Sequence, residues 1–427
     1  MAGHIEDRWW RDKTTEAGEV VLNDKGKPIR EKTELYGKGL RYRVRYYVSR
    51  KERSRSFPDG RLTRAKAFLA KVQTDALTGT YVDPDAGKIR LRSYVEQYLK
   101  GQSEDYATQR RYKSMLENMV FAFFGDIFLA DISHDVVRNW LEWMRDKGGK
   151  RIMSATYRRQ QFDMLCAILN AAVEEGLITV NPCKARSIKP PKIERRKIVP
   201  WTEQKMWAMR DALPAVYRIA IPLGAGLGLR QMELFALSPD DIDRDKGEVN
   251  VVRQIKWIGK VPVFAPPKGG KARVVPVGNG VLASIDAHIA AFEPATVALP
   301  WITPGGAPET VRLLIDKPAD GLQRYNAGIA TRLWTGGGFH SAVWKPAFPR
   351  AGLTYTKRSD GMHALRHLFA SLMLEQGVSI KELSEYLGHH DPAFTLRIYT
   401  HMMPSSHQRA RLASDKVFKA PMVASAA

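Results

Sequence analysis

The sequence predicts a multidomain chain that is mainly α-helical and carries small sheets. Its 427 residues exceed what one hydrophobic core usually serves, so two or three domains are expected. Apolar residues recur at helical spacing over several long segments, whereas the strict alternation typical of strands is confined to short ones. A basic, proline-bearing stretch over residues 186–200 cannot form a regular helix, so we expect it to link two globular parts.

The charge of the chain indicates a polyanionic partner. There are 67 Lys and Arg residues against 45 Asp and Glu, and the formal net charge of +22 favours nucleic acid. An anionic membrane surface is the alternative, but no stretch approaches the roughly 18 consecutive apolar residues of a spanning helix. Residues 1–30 are polar and charged, unlike a signal peptide. Cys166 and Cys183 are the only cysteines, which excludes a disulfide scaffold or a zinc ribbon and suits a cytoplasmic protein.

Residues 1–80 predict an N-terminal α+β domain with a small sheet and one helix. Between residues 36 and 57, alternation places basic and apolar side chains on opposite faces of a strand. The apolar face comprises Tyr42, Val44 and Tyr46. A helix is expected over 63–77, and the residues predicted to pack on the sheet are Ala67, Leu69, Ala70 and Val72.

The basic face of that sheet is a candidate DNA contact. Its arginines, including those of the following strand, are Arg41, Arg43, Arg45, Arg53 and Arg55. Only Glu52 and Asp59 are acidic neighbours in the sequence, so the cluster is expected to keep its positive charge. We favour DNA contact by this face over the alternative, a solvated charged surface.

Residues 81–91 predict a turn-rich linker, and residues 92–185 predict an α-helical domain. Helical periods run through the segments 92–99, 107–121, 134–144 and 156–175. The candidates for contact with DNA phosphates here and in the basic linker are Arg110, Arg111, Arg158, Arg159, Lys192, Arg195 and Arg196. For each of them, the alternative is an ordinary exposed charge.

Residues 201–415 predict a mixed α/β domain that is mostly helical, followed by a flexible tail over 416–427. Arg230 and Glu233 lie three residues apart at a helix start, so their side chains are expected to face the same way. Lys268 lies in a glycine-bearing turn, which we expect at the tip of a hairpin. The remaining groups of interest are His363 and Arg366 on one helix, His389 at the end of a Leu-Gly-His motif, and Tyr399.

Together these segments resemble the catalytic signature of the tyrosine recombinase family, over roughly residues 202–403. The family pattern is an arginine, a hairpin lysine, His-x-x-Arg, Leu-Gly-His and a late tyrosine. The residues that the resemblance assigns to catalysis are Arg230, Lys268, His363, Arg366, His389 and Tyr399. It implies that the arginines hold the scissile phosphate, the lysine is the general acid, the histidines assist and the tyrosine is the nucleophile. It implies no metal, no cofactor and no ATP.

The chemistry of these residue types suits DNA strand cleavage. Attack by a tyrosine oxygen on a phosphodiester builds negative charge on the non-bridging oxygens, and guanidinium groups are planar, permanently charged donors for that charge. The leaving 5′ hydroxyl requires a proton, which a lysine near the phosphate can supply. A phosphotyrosine bond keeps the energy of the phosphodiester, so rejoining needs no ATP.

Some of these residues permit other interpretations. His363 and His367 are four residues apart, as in zinc sites, but the Glu of the His-Glu-x-x-His motif is missing. We therefore expect His367 to be a structural partner within its helix. Lys271 and Arg273 are alternatives to Lys268 as the general acid.

The N-terminal part resembles the arm-binding domain of integrases similar to the lambda enzyme, a domain that Xer-type and Cre-type recombinases lack. By this resemblance, residues 1–80 bind arm sites, residues 92–185 form a SAM-like core-binding domain and residues 201–415 form the catalytic domain. The implied function is integration or excision of a phage or mobile element. The implied partners are double-stranded DNA, further copies of the chain in a homotetramer, a DNA-bending host factor and a recombination directionality factor, with no membrane contact.

Two alternative functions stay open from the sequence. A type IB topoisomerase-like enzyme would share the chemistry but would relax DNA without exchanging strands. A DNA-binding regulator would keep the basic domains, but it would have no use for the full catalytic set. A helix predicted over 405–415 is expected to pack within its own chain or on a neighbouring protomer.

Overall fold

The structure is a computed structural model, and it describes residues 3–16, 18–48, 51–78, 81–83, 85–100, 106–146, 153–193, 197–317 and 332–402, with pairs at 411–412, 414–415 and 417–418. The chain folds into two compact units, residues 1–194 and 195–427. Most of the predicted helix over 405–415 and of the predicted tail lies outside the described residues. In the described part of the chain, no helix combines the length and the apolar character needed to cross a bilayer.

The first unit begins with a three-stranded antiparallel sheet and a helix. The elements are β1 (Gly3–Asp7), β2 (Trp10–Asp12), β3 (Arg30–Lys32), β4 (Tyr42–Val48), β5 (Lys51–Phe57) and α1 (Leu62–Leu77). The strand order is β1-β4-β5, and β2 pairs with β3 separately. The predicted apolar face is confirmed, because Tyr42, Val44 and Tyr46 are buried against α1.

The helix α1 packs on the sheet through a face that only partly matches the predicted one. Val72 is buried and Leu69 packs against the core as predicted, whereas Ala67 and Ala70 are exposed and Ala65 and Phe68 take their place. The ring of Phe68 lies 5.7 Å from each of two aromatic rings of the sheet. Burying this large ring removes more apolar surface from water than burying two alanines, so it decides the orientation of the helix.

The rest of the first unit is helical. Its α-helices in the described residues are α2 (Leu91–Lys100), α3 (Tyr106–Met115), α4 (Phe121–Phe124), α5 (His134–Asp146) and α6 (Ala155–Glu174). The four predicted helical segments are confirmed, although α3 reaches α4 through a π-helical turn at Leu116–Val120. Their apolar faces meet in one core around Trp140, Phe162 and Leu165.

The second unit is mixed but mainly helical. Its elements are α7 (Glu203–Ala212), α8 (Ala220–Leu227), α9 (Gln231–Leu234), β6 (Ile242–Asp243), β7 (Glu248–Val251), β8 (Gln254–Ile258), β9 (Val261–Ala265), β10 (Arg273–Pro276), α10 (Asn279–Ala291), β11 (Ala295–Pro300), β12 (Pro308–Leu313), α11 (Gly336–Phe339), α12 (Lys345–Arg350), α13 (His363–Glu375), α14 (Ile380–Leu387) and α15 (Pro392–Tyr399). The ladders are β10-β7-β6, β8-β9 and β11-β12.

The turn that carries Lys268 is not the tip of a hairpin, so that prediction is wrong. β9 before it pairs with β8, and β10 after it pairs with β7. The chain therefore changes from one ladder to another at this turn. The local sequence predicts a glycine-rich turn correctly, but it does not determine which strands pair on either side.

The helices α8 and α13 approach each other closely. A Cβ atom added to Gly224 of α8 would lie 2.6 Å from a methyl carbon of Leu365, so only glycine permits this approach. Gly228 ends α8 with a φ of 62°, and a Cβ there would lie 2.5 Å from the ring of Phe369. These contacts fix the end of α8 against the first turns of α13.

The loop before α13 is anchored by one buried carboxylate, Asp360. Its Oδ1 accepts hydrogen bonds from Trp201 Nε1 at 3.0 Å and Lys205 Nζ at 2.6 Å. Its Oδ2 accepts from the backbone N–H of Thr356 at 2.8 Å, and Trp344 Nε1 donates to its carbonyl oxygen at 2.7 Å. The start of α13 is therefore tied to α7 and to the segment that leads into α12.

Candidate active site

Arg230, the first arginine of the predicted set, is fixed at the start of α9. It occupies the N-cap position, and the Glu233 carboxylate accepts from its backbone N–H at 3.0 Å. Its Nη1 donates to Glu233 Oε1 at 2.8 Å, which confirms that the two side chains face the same way. Its Nη2 donates to the carbonyl oxygen of Gly388 at 3.0 Å. Protein oxygens therefore orient both terminal nitrogens of this guanidinium.

Glu233 is a buried carboxylate that two arginines share. Besides Arg230, it binds Arg273 through hydrogen bonds of 2.6 and 3.1 Å, and Arg273 Nε donates to the carbonyl oxygen of Tyr386 at 2.7 Å. Burial raises the pKa of Glu233, but the hydrogen bonds of Arg273 and the charges of both arginines outweigh it and lower the pKa to about 2. Because its guanidinium is bound to Glu233 and to the carbonyl oxygen of Tyr386, Arg273 is less suited than Lys268 to donate a proton to the leaving oxygen.

Arg366, the second arginine, is almost fully buried, with 1% of its surface exposed. Its Nη1 donates to the carbonyl oxygen of Gly228 at 2.6 Å, and its Nη2 donates to that of Leu387. Burial and the charges of Arg230 and Arg273 lower the pKa of Arg366 to about 9, so the group still carries its charge at neutral pH.

Glycine-capped helix ends supply the carbonyl groups that orient both guanidiniums. Gly228 ends α8 and Gly388 ends α14, with φ values of 62° and 61° in the left-handed region. The last carbonyls of a helix have no partner within the helix, so they can accept hydrogen bonds from arginine. Those of Gly228, Leu387 and Gly388 do so here. This is a physical reason for the glycine in the Leu-Gly-His motif.

The two predicted histidines, His363 and His389, lie beside the arginines. His389 Nδ1 is 2.7 Å from the hydroxyl oxygen of Thr395, a fully buried residue of α15. Burial and the charges of Arg366 and Arg230 lower the pKa of His389 to about 3. His363 is open to solvent on one side, and partial burial with the same two charges lowers its pKa to about 4. Both imidazoles are therefore neutral at neutral pH.

Tyr399 lies at the end of α15, with 1% of its surface exposed. Its hydroxyl oxygen is 2.8 Å from Nδ1 of His367, whose ring packs edge-on against His363 with centroids 4.7 Å apart. Burial raises the pKa of Tyr399 to about 12, although the charge of Arg366 acts in the opposite direction. The phenol is therefore protonated at neutral pH and lies within the electrostatic influence of one of the two arginines.

Lys268 is exposed in the turn between β9 and β10. It lines a cleft of about 580 Å³ together with His389 and Arg273. Gly269 and Gly270, which follow it, have φ values of 94° and 75°, a backbone conformation that glycine adopts without strain. Lys268 thus borders the same cleft as His389, and its turn connects two separate ladders.

The structure brings together the predicted groups of the segments around residues 230, 363–366 and 389–399. It also shows partners of these groups that the sequence does not predict. His367 contacts Tyr399, which lies 32 residues later in the sequence, so the local sequence does not indicate this contact. Thr395 lies four residues before Tyr399, on the same face of α15. Nothing in the local sequence identifies Arg273 as a partner of a buried carboxylate. Among the described residues, no three His, Cys, Asp or Glu side chains gather to hold a metal ion.

The basic face of the N-terminal sheet is more neutralised than expected. The ion pairs are Arg41 with Asp7 and Asp59, Arg45 with Glu6 and Glu52, and Arg53 with Asp83. The expectation that the cluster keeps its positive charge is wrong, because β1 pairs with β4 and brings Glu6 and Asp7, which are distant in sequence, beside Arg45 and Arg41. Arg43 makes no ion pair with any residue that the structure describes. The assignment of Arg53 and Arg55 to the same face is wrong, because they pair with Tyr46 and Val44 and so lie on the α1 side of the sheet, where Arg55 is 5.0 Å from the ring of Phe68.

The basic candidates of the helical part differ in their surroundings. Arg111 donates a hydrogen bond to Gln160, and Arg159 forms an ion pair with Asp163. Arg110 and Lys192 are exposed. Arg195 and Arg196 lie outside the described residues. Arg158 is half-buried, and its Nε has no hydrogen-bond partner within the described ranges. Arg110 and Lys192 are therefore best placed to bind a phosphate without first breaking a contact within the protein.

Replacing Gly228 by alanine is expected to lower the free energy of unfolding by roughly 2–4 kcal/mol, because backbone strain at positive φ adds to the overlap with the Phe369 ring. Gly352→Ala is the matched control, since its φ is 70° but no heavy atom lies within 4 Å of the added Cβ. Urea titrations of both variants measure the difference. Equal losses would contradict the close approach of α8 and α13.

Acid is expected to destabilise the second unit through its buried histidines. His367 and His389 have folded-state pKa values of about 4 and about 3, below the ordinary 6.5, so unfolding takes up protons once the pH falls below about 6.5. Stability is therefore full above that pH and falls towards pH 4, by up to roughly 1.4 kcal/mol per pKa unit. Thermal melts of wild type, His389→Gln and, as a control, His340→Gln measure this slope. An unchanged slope in His389→Gln would contradict the burial of that ring.

Two segments of the chain match known families. Residues 340–405 match the phage integrase family, and residues 90–188 match the phage integrase SAM-like domain. The first segment contains α13, α14 and α15 with four of the six predicted catalytic residues. Over these two segments the chain is therefore similar to phage integrases. The second match covers the helical part of the first unit, which therefore has the SAM-like fold of phage integrases.

Relatives in bacteria and phages are similar over much of the chain. A XerC-like tyrosine recombinase of Caldanaerobacter subterraneus is 28% identical over 268 residues, which are 58% of this chain and 63% of that protein. A putative prophage phiRv2 integrase of Mycobacterium tuberculosis is 26% identical and covers 84% of this chain and 91% of its own length. The similarity to the prophage integrase thus extends over much more of the chain than the similarity to the XerC-like recombinase.

Solved integrases share the fold. The Tn1549 transposon integrase in complex with transposon right end DNA has a TM-score of 0.60 at 18% identity, covering 78% of this chain and all (100%) of that chain. A lambda integrase tetramer bound to a Holliday junction has a TM-score of 0.52 at 18% identity, covering 84% of this chain and 92% of that chain. These two integrases and this chain therefore share a fold that is mainly helical with small sheets, as the sequence predicts.

Proposed function

We propose that this integrase cleaves and rejoins DNA through a covalent bond between Tyr399 and a 3′ phosphate, and so integrates or excises a phage or mobile element at attachment sites. The observation that carries the proposal is the pair of guanidiniums, Arg230 and Arg366, each oriented by helix-end carbonyls. The hydroxyl of Tyr399 is 2.8 Å from Nδ1 of His367, the residue that directly follows Arg366 on α13. The groups needed to bind and attack one phosphate are thus contributed by neighbouring helices.

In this proposal the scissile phosphate is bound by the two arginines. Both guanidiniums use some of their five N–H groups on protein oxygens, and the remaining N–H groups can bind the non-bridging oxygens. Because the side chains are fixed before DNA arrives, little reorganisation is required when charge develops on those oxygens. His363 and His389 are neutral and border the same space, so they can donate one further hydrogen bond each.

The leaving oxygen is assigned to Lys268. Its turn borders the cleft at His389, and an exposed ammonium that meets a 5′ oxygen can protonate it as the bond to phosphorus breaks. The energy of the phosphodiester is kept in the phosphotyrosine, so a second 5′ hydroxyl can reverse the reaction without ATP. Tyr399 is buried in this structure, so we infer that DNA binding exposes its hydroxyl to the phosphate while α15 stays beside α13.

The first unit is proposed to provide the grip on DNA. We assign residues 1–80 to arm-site binding and residues 92–185 to core-site binding, joined by a linker over 81–91 and followed by the basic linker over 186–200. The support is the net charge of +22 and the two arginines of β4, Arg43 and Arg45, which alternate with the buried Tyr42, Val44 and Tyr46 and so lie on the face opposite α1. Residues 201–415 remain the proposed catalytic domain.

The assembly is also a proposal. One solved lambda integrase is a tetramer bound to a Holliday junction, and this supports a homotetramer on paired DNA sites here. By family, a bending host factor and a directionality factor would assist, in the cytoplasm of a bacterial host. The helix predicted after Tyr399 is a candidate contact between protomers.

The test is a suicide substrate with a nick beside the cleavage position, which releases a short fragment and prevents rejoining. A protein–DNA adduct that forms with wild type and disappears in Tyr399→Phe supports the proposal. A DNA break without any adduct would refute it. A topoisomerase-like enzyme is distinguished with two intact duplexes that each carry the site, because only a recombinase exchanges both strands reciprocally between them.

Arg43→Ala is expected to weaken DNA binding and to reduce the slope of log affinity against log salt by about 0.9, the value for one lost phosphate contact. The matched control is Arg45→Ala, since Arg45 already pairs with Glu6 and Glu52 and has less charge to offer. Fluorescence anisotropy over a range of salt concentrations measures both slopes. Equal slopes for both variants and wild type would contradict DNA contact by this face.

A further inference from the structure

The contact between Tyr399 and His367 has no part in holding the two arginines. The Tyr399 hydroxyl oxygen lies 2.8 Å from His367 Nδ1, and the rings are 5.7 Å apart between centroids. His367 is on α13, directly after Arg366, whereas Tyr399 ends α15. The same helix therefore presents an arginine towards the phosphate site and an imidazole to the oxygen of the proposed nucleophile.

The other imidazoles of the site are engaged differently. His389 Nδ1 is bonded to the Thr395 hydroxyl at 2.7 Å. His363 packs its ring edge-on against His367, with centroids 4.7 Å apart. Among the described residues, His367 is the side chain at hydrogen-bond distance from the Tyr399 oxygen. A proton that leaves this oxygen thus has a receiving nitrogen already in place.

The protonation state of His367 suits a proton acceptor. Burial, the neighbouring His363 and the charge of Arg366 lower its pKa to about 4, so the ring is neutral at neutral pH. A neutral ring with its proton on Nε2 offers a lone pair at Nδ1, to which the phenol can donate. When the phosphate arrives, its negative charge offsets the positive charge of Arg366. The imidazole then binds a proton more readily than it does beside an unneutralised Arg366.

We propose that His367 is the general base that accepts the proton of Tyr399 during DNA cleavage. The bond from the tyrosine oxygen to phosphorus forms, the bond from phosphorus to the 5′ oxygen breaks, and the phenol proton moves to His367 Nδ1. The leaving 5′ oxygen takes a proton from Lys268, so the step is balanced. Rejoining returns both protons. The inference rests on the proposed function, because it requires Tyr399 to be the nucleophile.

The test measures the rate of adduct formation on the nicked substrate for His367→Ala, at saturating DNA. The expected loss is roughly 10²-fold or more, the usual contribution of a general base. The matched control is His340→Ala, because His340 Nε2 is 3.1 Å from the Tyr355 hydroxyl in a second histidine–tyrosine pair outside the site. Thermal melts of both variants report whether each is folded at the assay temperature.

A second measurement separates a base from a structural partner. Fluorinated tyrosine at position 399, introduced by genetic code expansion, has a more acidic phenol and therefore depends less on a base. The loss caused by His367→Ala is expected to shrink at least tenfold in this background. In contrast, a substrate with sulfur in place of the 5′ leaving oxygen should rescue Lys268→Ala and leave the defect of His367→Ala unchanged.

Each outcome decides the inference. A smaller loss with fluorinated tyrosine supports the base role. Equal rates for His367→Ala and His340→Ala, or a loss that is the same with either tyrosine, would overturn it. An adduct that persists in Tyr399→Phe would instead refute the proposed function, so the two failures are distinguishable.

Discussion

Replacing Arg366 by lysine is expected to lower the rate of adduct formation roughly a thousandfold or more. Arg366 is bound by carbonyl groups of two helix ends and is almost fully buried, so its position does not depend on DNA. Lysine is a point charge that cannot bind two carbonyls and a phosphate in one plane, and loss of one transition-state donor alone typically costs 10²–10³-fold. Pre-steady-state adduct formation at saturating DNA measures the effect.

A matched control separates this effect from a general loss of fold. Arg350 also donates to a backbone carbonyl, that of Ala212 at 3.1 Å, but it is exposed and outside the site. Arg350→Lys should therefore leave adduct formation within a fewfold of wild type. If Arg366→Lys retains a comparable rate while folded, the assignment of this residue to the phosphate is wrong.

Replacing Glu233 by glutamine is expected to lower the free energy of unfolding by roughly 3–5 kcal/mol, the cost of breaking a buried ion pair on one side. Glu233 has no exposed side-chain surface, and it binds Arg273 and Arg230 together. In the Glu233→Gln variant the carboxylate charge is lost, so Arg230 and Arg273 lose their counterion in a region from which water is excluded. Adduct formation should fall as well, because Arg230 loses the group that orients it.

The control for Glu233 is an ion pair at the surface. Asp286 binds Arg244 at 2.6 Å with about half of each side chain exposed, at 53% and 45%. Asp286→Asn should change the free energy of unfolding by about 0–1 kcal/mol. Urea denaturation of both variants at neutral pH provides the comparison. Similar small changes in both variants would contradict the buried network.

The sequence predicts those parts of the site that are decided locally. Arg230 and Glu233 are three residues apart at a helix start, and the helix geometry alone brings them together. Gly388 in the Leu-Gly-His motif ends a helix in the left-handed conformation, as its residue type indicates. The helices of the first unit could likewise be read from apolar spacing, because each buries one continuous stripe.

The parts that depend on contacts distant in sequence could not be predicted. Glu6 and Asp7 neutralise arginines more than thirty residues away, through the pairing of β1 with β4. The ladder change at Lys268 depends on which strands pair, and a glycine-rich turn permits either outcome. Arg273 reaches Glu233 across 40 residues of sequence. In each case the partner is selected by the tertiary fold and leaves no periodic signal.

His367 illustrates how a residue can be visible in the sequence and still be misjudged. Its spacing from His363 suggested a metal pair, and the absence of the Glu of the His-Glu-x-x-His motif favoured a structural role within its own helix. The structure instead turns it towards the oxygen of Tyr399 on α15. Its functional neighbour is 32 residues away in sequence, so spacing within α13 could not reveal it.

The most direct test of the account is mass spectrometry of the trapped adduct after digestion with trypsin and nuclease. The tryptic peptide over residues 398–409 contains Tyr399. We expect this peptide to carry a nucleotide linked through its 3′ phosphate. A nucleotide on any other peptide, or cleaved DNA with this peptide unmodified, would contradict it.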